Sequence, residues 1–371
     1  MNNDVYKKIE SIFSKQKSRI DVDWDSNESD MSLTERFQNL IDVEVASEPF
    51  LVKNRIINEI SGLGPLDDLL SDADITEILV NNYQEIFYEK NGKLSRYTDH
   101  FYSENSYVAV LDRLSQKCGS YLNREKPFVE SQSGRLRITI IFGELSRGSS
   151  LLSIRVQPKS KWTLESFLEK KWCNESQINQ IKDIFQQKKN FLVVGGTGSG
   201  KTSFLQSLLQ MLNKEERAVI IEDTQELQLP DSASVSLLTR QDPSRSVGDV
   251  GMDDLLKRAL RLRPDRLVIG EIRGPEAKSL MMAMATGHDG SFGSLHARTA
   301  LEALLRLEML IQMGAPQWSL QSIRKLIAMT IQNIIVLEKK DGFRKLQGIY
   351  EISSLEETGF TLNQIDQGES F

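Results

Sequence analysis

Eight consecutive residues limit what this chain can become: Gly195-Gly196-Thr197-Gly198-Ser199-Gly200-Lys201-Thr202 fits the spacing G-x-x-x-x-G-K-[ST]. The apolar run Phe191 to Val194 precedes it and reads as a strand. From Thr202 to Leu212 the apolar residues Phe204, Leu205, Leu208, Leu209 and Leu212 recur at helical spacing. A strand, a glycine-rich loop and a helix in that order form a phosphate cradle. Glycines let backbone N–H groups curl around a phosphate without Cβ clashes. Lys201 would bring a compact positive charge to the β- and γ-phosphates, and Thr202 a hydroxyl to Mg²⁺. The helix N-terminus faces the same charge. The pattern implies ATP and Mg²⁺ as ligands.

The alternation continues beyond the loop. Ala218 to Ile221 reads as a strand, Met252 to Leu262 as a helix ending before Pro264, and Leu267 to Ile269 as another strand. Such alternation predicts an α/β fold with a mostly parallel sheet flanked by helices. A length of 371 residues suggests two domains plus appendages. We expect an N-terminal helix and flexible acidic linker over 1–31 and a helical segment over 32–61. A smaller α/β domain follows over 62–158, then the P-loop domain over 159–345 and a C-terminal tail over 346–371. Within the smaller domain, Glu77 to Val80, Glu85 to Tyr88, Arg135 to Phe142 and Leu151 to Val156 read as strands, and Tyr107 to Cys118 as an amphipathic helix.

Composition excludes several classes. The net charge of -6 provides no global basic field toward nucleic acid, so no direct nucleic-acid contact is expected. Cys118 and Cys173 are not in a C-x-x-C pair, which argues against a zinc module and fits a reducing cytoplasm. No apolar run reaches the ~18 residues of a membrane span. Leu326 to Leu337, the longest candidate, contains Thr330, Gln332 and Asn333. Membrane contact is expected only through partners.

Three further constellations carry chemistry. The strand Leu267-Val268-Ile269 leads into Gly270-Glu271. Many P-loop proteins place Asp before that Glu, so Gly270 weakens direct metal coordination and leaves Glu271 as a candidate general base, or alternatively a helix-capping acid. A second strand ends in Glu222-Asp223-Thr224-Gln225-Glu226. Glu222, Asp223 and Glu226 sit where α/β sheets bind ligands, with Glu222 and Asp223 as candidate Mg²⁺ contacts beside Thr202; a solvated acidic turn is the plainer reading. Third, His288 and His296 fall within a glycine-rich stretch, Thr286 to Ala297, that reads as a functional loop able to sense a γ-phosphate or bond the catalytic acids. A structural histidine is the alternative for each. Arg135, Arg137 and Arg155 lie on strands of the smaller domain, where an arginine able to stabilise transferred charge, or only a surface salt bridge, would fit.

Taken in order, GGTGSGKT, IIEDTQEL, RPDRLVIGEIRG and TGHDGSFGSLHA resemble the Walker A, Asp box, Walker B and His box of the secretion-superfamily ATPases of type II and type IV secretion and type IV pili. Three stretches, Gly62 to Asn82, Leu256 to Ala277 and Ala285 to Glu308, are similar to the Tad/Flp pilus assembly branch. The resemblance runs from about Val45 to Lys340. It implies a RecA-like ATPase domain and a ring-shaped homohexamer with nucleotide between the N-terminal and C-terminal domains. It further implies a cytoplasmic motor on an inner-membrane platform, hydrolysing ATP with Mg²⁺. Carried over residue by residue, Lys201 and Thr202 belong to Walker A, and Glu222, Asp223 and Glu226 to the Asp box. Glu271 is the Walker B glutamate, His288 and His296 the His-box pair, and Arg155 resembles a linker arginine that reaches nucleotide. Arg135 resembles the strand arginine of the N-terminal domain.

The chain also departs from the pattern. Phe142-Gly143-Glu144 stands where paired prolines often follow the Arg135 strand. The tetra-cysteine module of the pilus-extension branch and the AIRNLIRE-like stretch of retraction motors are missing, which favours the Tad or DNA-export branches. A type IV secretion ATPase and a nucleotide-gated scaffold are the rival readings.

Overall fold

A computed structural model describes residues 7, 9–12, 43, 45–46, 49–119, 121–157, 162–240, 248–356 and 359–366. Most of the expected N-terminal helix, the whole acidic linker and the first half of the helical segment lie outside the described residues. The chain divides into two units, Met1–Lys159 and Ser160–Phe371.

In the first unit, α1 (Phe50–Ser61) and α2 (Leu66–Ser71) precede β1 (Ile75–Asn82), β2 (Glu85–Lys90) and β3 (Lys93–Arg96). Then come α3 (Glu104–Lys117), β4 (Phe128–Ser133), β5 (Leu136–Ile141) and β6 (Leu151–Val156). The strands form one antiparallel sheet in the order β3-β2-β1-β6-β5-β4. Ser103 starts α3 with a reciprocal capping box to Ser106. The helix lays Tyr107, Val110, Leu111 and Leu114 on the sheet's Ile78, Ile138 and Ile154. Arg55 fixes α1 through bonds of 2.6 Å each to Asp99 and Glu59, all three buried. A buried charge is tolerated when its donors are satisfied in this way.

In the second unit, α4 (Leu164–Glu169) and α5 (Glu175–Gln186) lead into β7 (Phe191–Gly195). Next are α6 (Lys201–Leu209), β8 (Ala218–Glu222), β9 (Val235–Leu238), α7 (Met252–Ala259) and β10 (Arg266–Ile272). The chain continues through α8 (Glu276–Ala285), β11 (Phe292–Leu295), α9 (Ala300–Gly314), α10 (Leu320–Thr330), β12 (Asn333–Lys340), β13 (Phe343–Glu356) and β14 (Gly359–Gln364). The sheet order is β14-β13-β12-β7-β11-β10-β8-β9. Six neighbouring strands, from β12 to β9, run parallel. Every residue of β7 and β8 is buried, as a parallel sheet covered on both faces requires. One apolar layer packs β7, β8, β10 and β12 against α7 to α10; the other packs α4 to α6 beneath the same strands.

Two expectations change, and one apolar run resolves into two elements. The described part of the 346–371 segment is not a tail apart from the domain: β13 pairs antiparallel with β12, and β14 antiparallel with β13, extending the sheet. The apolar run 326–337 divides, its start ending α10 and its remainder forming β12 beside β7. The His-box stretch, read as a loop, contains the buried strand β11. No helix among the described residues is long and apolar enough to cross a membrane.

Candidate active site

The P-loop leaves the carboxyl end of β7 and returns into α6. Gly198 has φ of 69° and Gly200 of 99°, left-handed values that glycine adopts without strain. Lys201 is buried, and its ammonium donates to Gly195 O at 2.9 Å and Gly196 O at 3.2 Å. Its charge is therefore held at the mouth of the loop, beside the N–H groups that begin α6.

The acids arrive on neighbouring strands. The Thr202 hydroxyl donates to Glu226 Oε2 at 2.9 Å. The turn carrying Glu226 is tied back to α6 by Gln206, which accepts from Gln228 N at 2.7 Å and donates to Gln228 O at 3.2 Å. Glu222 points elsewhere. Its Oε1 accepts the backbone N–H groups of Glu226 and Leu227, both at 3.0 Å, and burial pushes its carboxyl up to about 7. Asp223 meets Thr239 Oγ1 at 3.1 Å and Arg273 at 3.6 Å. Of the three acids expected at this strand end, Glu226 is the one that contacts Thr202 among the described residues, while Glu222 and Asp223 bond other groups.

Glu271 lies near the end of β10 with its side chain 20% exposed. Arg273 donates to its Oε2, and His296 Nε2 lies 3.4 Å from its Oε1. The Arg273 guanidinium is raised above its usual range by that bond to Glu271. The His296 imidazole is held below its ordinary value by burial and by the Lys201 ammonium, with Glu271 pulling the other way. His296 follows β11, so it stands at the same sheet edge as the loop after β7. His288 does not. It precedes β11, where its Nδ1 bonds Ala283 O at 3.1 Å and its carbonyl accepts from Ser291. Ser291 in turn bonds Asn190 and Leu267, at the starts of β7 and β10. The length of the strands separates His288 from the P-loop, and its bonds tie the end of α8 to the start of β11.

Arg135 and Arg155, the two arginines of the first unit carried over from the resemblance, have neighbours within that unit. Arg135 Nη1 donates to Gln157 O at 3.2 Å. Arg155, exposed on β6, stands in register with Glu77 and Arg137. Two site residues went unread in the sequence. Arg344 Nε donates to Gly198 O at 2.8 Å and its guanidinium lies 5.6 Å from the Trp172 ring centre. Trp172 presses on the loop so closely that a Cβ on Gly200 would fall 2.5 Å from the ring. A lone arginine on a hairpin 146 positions away carries no local signal.

No group of three or more His, Cys, Asp or Glu able to hold a metal occurs among the described residues. A hydroxyl and one carboxylate in contact, at the mouth of a phosphate loop, nevertheless suit Mg²⁺. That ion takes one or two protein oxygens and completes its shell with phosphate and water.

The family described as "Type II/IV secretion system protein" matches residues 59–347. This chain belongs to that family. As a Type II/IV secretion system protein it is 28% identical over 288 residues to the conjugal transfer protein TrbB of Rhizobium radiobacter, covering 76% of this chain and 85% of the relative. It is 26% identical over 325 residues to the type IV secretion system protein VirB11 of Bartonella henselae, covering 78% of this chain and 91% of that one. In fold it is similar to the pilus retraction motor PilT with bound ADP: TM-score 0.54, 18% identity, 81% of this chain and 80% of that chain covered.

Proposed function

We propose that this secretion-family protein is a Mg²⁺-dependent ATPase that works as a homohexamer. In this reading it powers assembly of a Tad/Flp-type pilus at the cytoplasmic face of the inner membrane, against platform proteins. One observation carries the enzymatic part. Lys201, the Thr202–Glu226 pair and the Glu271–His296 pair converge at the carboxyl ends of β7, β8, β10 and β11. Open α/β sheets bind their ligands at that edge.

The chemistry follows from the residues. Lys201 and the α6 N–H groups hold the β- and γ-phosphates. Thr202 and Glu226 would hold Mg²⁺, which would neutralise charge on those phosphates when bound. Glu271 takes a proton from the attacking water as its oxygen bonds to the γ-phosphorus and the bond to the bridging oxygen breaks, releasing ADP. Arg273 and His296 fix the orientation of the Glu271 carboxylate. Arg135 and Arg155 are the proposed donors to the transferred charge, supplied by a neighbouring subunit. A transport role in type IV secretion is the second reading, favoured by the names of the TrbB and VirB11 relatives. Steady-state phosphate release tests the enzyme. Lys201→Ala is expected to fall below about a tenth of wild type, since groups of this kind contribute about 10²-fold or more. Higher residual turnover removes the loop from catalysis.

A further inference from the structure

We infer that Glu222 is a positioning residue that sets the turn carrying Glu226, and that position 270 is glycine because the Glu222 side chain occupies the space a side chain there would take. The inference deepens the ATPase reading and rests on it for its catalytic consequence.

The geometry begins with the sheet. β8 and β10 are parallel neighbours, and Ile221 pairs with Ile269, so Glu222 and Gly270 follow side by side. A Cβ built on Gly270 would stand 2.9 Å from Glu222 Cγ and 3.4 Å from Oε1. A carbon at 2.9 Å from a methylene in a packed interior forces the Glu222 side chain, or the strand that carries it, to shift. The missing acid of the β10 strand is thus replaced in space by an acid from the next strand. That acid is 3% exposed, and its Oε1 takes both N–H groups of the Glu226–Leu227 turn. The carboxylate satisfies those N–H groups and closes the turn. Glu226 is then aimed at the Thr202 hydroxyl. Oε2 of Glu222 is buried without a hydrogen-bond partner among the described residues. It is the atom a metal-binding role would use, so the two roles separate by experiment.

The test uses full-length Glu222→Gln, Glu222→Ala, Gly270→Ala and the double variant Glu222→Ala/Gly270→Ala. A glutamine keeps the acceptor that holds the turn. Hydrogen exchange of the Glu226 and Leu227 amides should stay slow in wild type and Glu222→Gln and accelerate at least about tenfold in Glu222→Ala. Gly270→Ala should lower Tm in the wild-type background and much less in the Glu222→Ala background, because the group it strikes is gone. In turnover, Glu222→Gln should keep at least about a third of wild-type kcat with an unchanged half-activating Mg²⁺ concentration. Glu222→Ala should lose about tenfold or more. Unchanged amide exchange in Glu222→Ala, or additive Tm losses in the double variant, overturns the inference. So does a Glu222→Gln variant as inactive as Glu222→Ala with a raised Mg²⁺ requirement. The exchange and Tm results stand without turnover, so a wild type that fails to hydrolyse ATP sinks the ATPase reading and leaves the positioning claim decided on its own.

Discussion

The Thr202 hydroxyl donates to the Glu226 carboxylate across 2.9 Å, joining the first turn of the P-loop helix to the turn that follows β8. If this pair holds Mg²⁺, Glu226→Gln keeps the shape and loses the charge. Turnover should fall by about 10²-fold while the Mg²⁺ concentration giving half activity rises. Thr202→Val should raise the same requirement, and Thr202→Ser should leave it near wild type. A metal titration of phosphate release is the check; an unmoved midpoint in Glu226→Gln assigns the metal elsewhere.

Glu271→Gln should bind ATP normally and hydrolyse it at about a hundredth of the wild-type rate or less, because the amide no longer accepts the water's proton. Fluorescent-nucleotide titration together with single-turnover kinetics separates the two quantities. Parallel losses of binding and turnover would show that Glu271 supports the ground state instead. Arg273→Ala frees one side of the same carboxylate. A smaller loss than in Glu271→Gln is expected.

His296 gives the site a pH dependence. Burial and the Lys201 ammonium place its folded value below the ordinary 6.5, so the ring is neutral at pH 7. For a group lowered on folding, the folded state binds fewer protons than the unfolded chain. The associated stability is present above 6.5 and is lost as pH falls through the folded value. Once charged, the ring pairs with Glu271 at 3.4 Å and withdraws the base. The pH profile of kcat should therefore carry an acid-side inflection that disappears in His296→Gln. An inflection of unchanged position in that variant would assign it to another group.

Arg344 should matter to binding before it matters to chemistry. Its bond to Gly198 O preorganises the loop that the phosphates enter. Arg344→Ala is predicted to raise KM for ATP about five- to tenfold with kcat within about twofold, as the loss of a neutral-acceptor hydrogen bond from a charged donor would give. A change confined to kcat would contradict that assignment.

Local patterns were legible and lateral ones were not. The P-loop, both acid-ended strands and α7 declare themselves in runs of a few residues, where spacing alone decides which groups meet. Gly270 looks like a defect in sequence; beside Glu222 on the next strand it is the complement of a side chain. His288 and His296 share one glycine-rich stretch, where the sequence marks His296 as functional somewhat more than His288, and the run of β11 between them sends His288 to the opposite end of the sheet. The C-terminal strands were missed for the same reason. Asn333 pairs with Phe191 and Leu337 with Gly195 across more than a hundred residues, and neither partner's neighbourhood announces the other.

β12 and β13 end in a hairpin whose Arg344 reaches the backbone of the phosphate loop, while β14 closes the far edge of the same sheet. Coupling of this kind is reciprocal. A nucleotide that tightened the loop would also steady the C-terminal strands, and a partner that gripped those strands would alter nucleotide affinity by the same factor. The strands β12 to β14 are thereby a handle on the phosphate loop rather than an appendage to it.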